Sequence, residues 1–266
     1  MDVLEASVAF SYNGLDIAVP VVRSGTACIA VYPVEECADD HGSFLSSHRE
    51  ILCPAQFAWV FGEDTAIPLA FSPDGEILAV AASGRVFWLD VHNETFAGWS
   101  RCYTDFEILA LQYTPNGCFI AAAGNNMDTS TEDLFNGCVR MFNSSASLVW
   151  KMTTDNTGEP IPTIDTMAFS SECPNMKTPN MICHQSYGTE IYLVHNESGH
   201  AHRLTVDAPV QALIMSKTGE RLIVAQASCI IIFDTIRVTK LFQTPLHDGA
   251  MAIEAMSWPG DYDEAD

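Results

Sequence analysis

Short apolar stretches alternate with tight-turn residues along most of this chain. Residues 70 to 80, AFSPDGEILAV, give an apolar run ending at Phe71, a polar turn, and a second apolar run from Ile77. Runs of this length between turn residues predict strands, and the Asp-Gly pair predicts a hairpin, because Gly adopts the positive φ that tight turns need. The arrangement recurs as FSYNG at 10–14, YTPNG at 113–117, FSSECPN at 169–175, MSKTG at 215–219 and MSWPG at 256–260. Two of the intervals between these copies are 42 and 41 residues and the others are longer. A period of about 40–45 residues is that of a repeated four-stranded sheet.

Each copy continues with the same order of strands. The second strands are DIAVPVV, ILAVAA, FIAAAG, MICHQ and LIVAQA, and the third are ACIAVYP, RVFWLD, CVRMFN, EIYLVH and CIIIFD. Near-continuous apolar runs predict strands buried on both faces. The fourth segments, QFAWVF, ETFAGWSRCY, SLVWKMT, HAHRLTV and VTKLFQ, are more amphipathic and predict edges. The expectation is an all-β chain forming a single domain over 1–266. Its units cover about 3–61, 66–103, 107–153, 163–206 and 209–243, followed by an extra first strand at 251–258 and an acidic tail at 259–266.

This pattern resembles the WD-repeat β-propeller family over nearly the whole chain. The family's FSPDG turn is matched at Phe71, Ser72, Pro73, Asp74 and Gly75. Where the family closes its third strand with Trp-Asp, this chain has Tyr32-Pro33, Leu89-Asp90, Phe142-Asn143, Val194-His195 and Phe233-Asp234. The family's Gly-His pair is mostly absent, with His247-Asp248 nearest to it. The repeats are therefore degenerate. Five complete units and one extra strand leave two arrangements open. One is a five-bladed ring with the last strand at its seam. The other is part of a seven-bladed ring whose exposed, apolar blade sides are covered by another segment.

Charge narrows the range of partners. Lys and Arg number 12 against 34 Asp and Glu, a net charge of −22. Nucleic-acid binding runs on Lys and Arg contacts to phosphate, so it is not expected, whereas a basic peptide or protein surface is attracted. Excess acid also serves solubility alone. The nine cysteines are odd in number and include no CxxC, which argues against a disulfide framework or thiolate zinc site and for a reduced, cytoplasmic setting. The N-terminal MDVLEASVAF has neither the basic region nor the apolar core of a secretory signal, and no apolar run is long enough to span a bilayer.

The resemblance sorts the connections onto two faces. Links between blades and turns between second and third strands share one face. The turns within the first and third hairpins share the other, and so do the insertions 35–54 and 171–180. The first face collects Glu63, Asp64, Asp105, Glu107, Asp155 and Asp207, joined by Asp128, Glu132 and Asp133 from the insertion 124–137. These nine acids are the candidate docking residues for a basic partner. The competing explanation is that links are polar because they are solvated.

No cofactor is expected, and no nucleophile-elbow, zinc-protease or phosphate-loop motif occurs. His200 and His202 stand on one side of a strand and would suit zinc given a third ligand. A five-bladed glycoside hydrolase is the enzymatic alternative. It needs two carboxylates about 5–9.5 Å apart in the funnel, while the first strands carry no Asp or Glu and only links such as Asp165 or Asp207 could reach it. Trp59, Trp99 and Trp150 lie in fourth strands and are expected to pack between blades. The resemblance implies a protein-interaction scaffold within a larger assembly, of the ciliary or cytoskeletal kind where degenerate repeats of this family occur.

Overall fold

The computed structural model describes residues 8–23, 26–34, 49–52, 67–82, 84–100, 105–127, 136–170, 180–195 and 198–246, with the backbone of 2–3. Every regular element among them is a β-strand, arranged in five antiparallel sheets. The expected extra strand at 251–258 and the tail at 259–266 lie outside the described residues. The chain divides into two compact units, Met1–Lys151 and Met152–Asp266.

The first unit holds three sheets. Sheet one comprises β1 (Asp2–Val3), β2 (Ala9–Phe10), β3 (Asp16–Arg23), β4 (Thr26–Pro33) and β5 (Arg49–Leu52). Both short strands, β1 and β2, pair with the same edge of β3, so together they occupy one strand position. Sheet two runs β6 (Leu69–Phe71), β7 (Ile77–Ala82), β8 (Arg85–Asp90) and β9 (Thr95–Trp99). Sheet three runs β10 (Phe106–Tyr113), β11 (Phe119–Asn126), β12 (Asn136–Asn143) and β13 (Leu148–Met152). The second unit holds sheet four, β14 (Thr166–Phe169), β15 (Met181–His184), β16 (Glu190–Val194) and β17 (Ala201–Thr205), and sheet five, β18 (Val210–Met215), β19 (Arg221–Gln226), β20 (Cys229–Asp234) and β21 (Thr239–Pro245). In each sheet the strands neighbour one another in chain order.

One sequence expectation is corrected here. The outer strand of sheet one is β5, inside the segment assigned to an insertion, and Ile51 pairs with Ile29 of β4. The stretch 56–61 expected in that role lies outside the described residues. A strand that opens on Arg49 and Glu50 suffices because Ile51 is fully buried, while Arg49 bonds Asp16 at 2.8 Å.

The double burial predicted for inner strands is realised in sheet two. Leu78 and Val80 of β7 pack with Ile29, Val31 and Ile51 of sheet one. Ala79 and Ala81, the alternate residues, pack with Phe106, Ile120 and Phe142 of sheet three. Each large side chain so buried stabilises the fold by about 1.5–3 kcal/mol. In the second unit, Ile182, Ile191 and Leu193 meet Leu222, Val224, Ile231 and Phe233. The reverse face of sheet five carries Ile214, Ile223, Ile232 and Phe242, paired in one row across all four strands. The three isoleucines are only half-buried and Phe242 is exposed.

The recurrent turn has one chemistry. Gly14, Gly75, Gly117 and Gly219 all have φ between 70° and 76°. The hydroxyl three residues before the glycine acts as a relay. Ser72 Oγ donates to Asp74 Oδ1 and accepts from Ile77 N, as Ser11 does with Asn13 and Asp16, and Thr114 with Asn116 and Phe119. Asp74 and the two asparagines also accept the backbone N–H two residues on. A second recurring acceptor closes the third hairpin: Asp90, Asn143 and Asp234 each accept backbone N–H groups of the following turn. These residues close the third strands of sheets two, three and five.

Candidate functional site

The described docking candidates differ in what their carboxylates do. Asp105, just before β10, lies 2.9 Å from Arg140 Nη2 and 3.8 Å from Lys151 Nζ. Glu107, two residues on, is exposed and accepts a 2.7 Å bond from half-buried Asn125. Asp207, between β17 and β18, is exposed. Asp155 is buried instead: it accepts from Thr157 N, Thr157 Oγ1 and Glu159 N and lies 2.9 Å from Arg203 Nε. Burial opposes its ionisation, but the Thr157 and Glu159 bonds and the Arg203 charge outweigh that and hold its carboxyl below the usual range. Its carboxylate is spent on its own turn, which removes it from a partner-facing surface. Glu63, Asp64, Asp128, Glu132 and Asp133 lie outside the described residues. Within the first unit the structure therefore brings Asp105 and Glu107 together; within the second it exposes Asp207 and withdraws Asp155.

Other candidates have local roles. Asp165 Oδ1 accepts from Ser186 N, Ser186 Oγ and Thr166 Oγ1 at 2.7–3.1 Å, which joins the start of β14 to the turn after β15. His202 Nδ1 meets Asn156 Nδ2 at 3.0 Å, and its ring stands edge-on to His195 at 6.1 Å. Among the described residues no three metal-ligating side chains converge.

A cleft of about 470 Å³ opens where sheets two and three part. Its apolar walls are Ile77, Trp88, Tyr113, Phe119 and Ile120, the first three and Ile120 being continuous with the core between those sheets. Trp88 gives the Tyr113 hydroxyl a hydrogen bond, and burial keeps that phenol protonated far above its ordinary range. Trp99 stands at the rim, 49% exposed, stacked on Phe96 at 5.1 Å. That differs from its expected burial between blades: β9 is the outermost strand, and Phe96 takes the inward place. Ser144, Ser145 and Cys118 complete the rim.

Asp74 is the one charged residue lining the cleft among the described residues. The hydrogen bonds from Ser72 and Glu76 N hold its carboxyl below the usual range, so it is ionised at neutral pH. Both of those bonds use Oδ1. The turns of the two sheets are in contact here, since a Cβ on Gly117 would lie 3.4 Å from Pro73 Cδ. Sequence reasoning missed the cleft because its lining comes from two repeats; the paired FSPDG and YTPNG turns at its floor were the available signal.

No family model and no curated protein matches the sequence. Among solved structures, a chain in the crystal structure of a mitotic checkpoint complex matches with a TM-score of 0.61, at 17% identity, over 91% of this chain and 68% of that one. The fold is that of a WD40-like β-propeller. Each sheet is then a propeller blade, and the cleft lies between the second and third blades.

Proposed function

We propose that this propeller is a non-catalytic docking platform in a multi-protein assembly, and that its link-bearing face receives a basic partner. The likeness to a chain from a checkpoint complex supports a protein-binding role in general. The observation that carries the basic partner is the exposure of Glu107, at the start of β10, and of Asp207, just before β18, in a chain of net charge −22. Exposed carboxylates in such a field attract cations and are screened by salt. Buried Cys138, Cys183 and Cys229, packed as small apolar side chains, support a reducing, cytosolic location.

The test is affinity capture with the whole chain from its native source at low salt and at about 1 M salt, where charges are screened beyond about 3 Å. Basic partners are retained at low salt, lost at high salt, and weakened by Glu107→Lys with Asp207→Lys. Retention that is indifferent to both salt and these substitutions overturns the reading.

A second mode is supported by the row of half-buried Ile214, Ile223 and Ile232 and exposed Phe242 on the fifth blade. The opposite face of that blade is covered by another sheet bearing Ile and Leu, so the occupant proposed is a further β-sheet completing the propeller. Ile232→Asp abolishes such an association and leaves salt-sensitive capture intact; unchanged association excludes it.

A further inference from the structure

Resting on the docking-platform reading, we propose that the cleft between the second and third blades seats an extended peptide segment of a partner protein that carries a large apolar side chain beside a lysine or arginine.

The size fits: about 470 Å³ falls within the range of sites that enclose a ligand and accepts one or two large side chains. The floor is apolar, from Ile77, Trp88, Phe119 and Ile120, and Trp99 at the rim offers an indole already held against Phe96. Tryptophans preordered in this way are the residues on which binding energy concentrates.

The charge selects the neighbouring residue. Among the described residues no Lys, Arg or His lines the cleft, and the single carboxylate there, Asp74, is ionised. The bonds from Ser72 Oγ and Glu76 N both fall on its Oδ1. A cation entering there meets a carboxylate already oriented by its own turn, whereas an acidic segment meets an uncompensated negative charge.

An extended backbone also has a partner. Strand β9 is the outermost of its sheet, and the register shift between Trp88 and Leu89 leaves Ala97 bulged out of the ladder. Along it Thr95, Ala97 and Trp99 are exposed in alternation. An edge of this kind can add one strand, with alternate side chains directed into the adjoining cleft.

Two substitutions isolate the terms. Asp74→Asn removes the charge and keeps the turn, because Asn13 and Asn116 fill that place in the sibling turns. Trp99→Ala removes the rim. A random peptide library displayed on phage is the probe, selected against the wild-type chain and each variant. Selection on wild type yields a consensus pairing an aromatic or aliphatic residue with Lys or Arg. The selected peptides bind Asp74→Asn about threefold more weakly, as expected of an exposed ion pair, and Trp99→Ala more than about tenfold more weakly. Peptide binding slows alkylation of the exposed Cys118 thiol, followed by mass spectrometry. No consensus, an acidic consensus, or peptides indifferent to both substitutions overturns the proposal. If no such consensus is selected while the wild type still captures salt-sensitive partners, only the cleft is excluded; if the wild type captures neither partner nor peptide, the platform reading fails with it.

Discussion

The guanidinium of Arg140, buried within the third blade, lies 2.9 Å from the carboxylate of Asp105 and 4.4 Å above the ring of Phe106. Asp105 therefore has an internal duty whatever it offers outside. Asp105→Ala leaves a buried cation short of its carboxylate and lowers stability by about 2–4 kcal/mol, the half-exposed acid placing the loss near the lower end. Asp105→Asn keeps a hydrogen-bond acceptor and loses less. Glu107→Ala, which gives up only a surface bond to Asn125, changes stability by under about 0.5 kcal/mol. Urea midpoints of the three variants check this order.

Gly124 of β11 lies against the carbonyl of Glu107, where an added Cβ would sit 1.9 Å from the oxygen and 2.9 Å from Leu109 N. The approach is close because β10 bulges between Ile108 and Ala110, opposite Gly124. The obstacle is backbone and cannot swing aside. Gly124→Ala forces the two strands apart and costs about 2–3 kcal/mol or more. Gly98→Ala, with nothing near its Cβ position, serves as the comparison. Thermal unfolding of the pair separates the steric effect from loss of glycine itself.

The Ser72 hydroxyl both donates to Asp74 and accepts from Ile77 N. Ser72→Ala breaks both bonds and lowers stability by about 1–2 kcal/mol. Ser72→Thr is tolerated, because Thr114 performs the same relay in the next blade. Denaturant titration of both variants distinguishes a need for the hydroxyl from a need for a small side chain.

Burial holds the imidazole of His184 below its ordinary range, although its bond to the Gln185 carbonyl and the charge of Asp165 act the other way. Burial lowers His195 likewise, helped by His202 and His200. The fold thus disfavours the protonated rings, and the unfolded chain binds more protons below about pH 6.5. Stability is full above that pH and falls as pH drops from 7 toward 5. His184→Gln flattens part of this slope, measured as urea midpoints at the two ends of the range.

How much of this was legible in the sequence depended on what each residue does. ILAVAA, RVFWLD and CIIIFD coincide with β7, β8 and β20 because double burial demands unbroken apolar runs. Arg49–Leu52 was not legible as a strand, since an edge needs little beyond backbone pairing and one buried side chain, Ile51. No third strand ends in Trp-Asp, yet Asp90, Asn143 and Asp234 at those ends each accept backbone N–H groups of the following turn, a role their letters alone did not reveal. Of the docking acids, Asp155 was misjudged because a link aspartate has the same letter whether it faces solvent or its own turn. The cleft was hidden for another reason: Trp99, Asp74 and Phe119 become neighbours only when two repeats are set side by side.

The hydroxyl relays have a consequence for how such a chain can change over time. In four of the five sheets the hydroxyl that closes the first hairpin bonds within six consecutive residues, from Ser11 to Asp16, Ser72 to Ile77, Thr114 to Phe119 and Ser216 to Arg221. No copy consults another to make its bend. A duplicated module can accordingly lose its signature letters elsewhere, lengthen its connections and acquire new surfaces while the bend still forms. Drift of this sort erases ancestry from the sequence long before it disturbs the architecture.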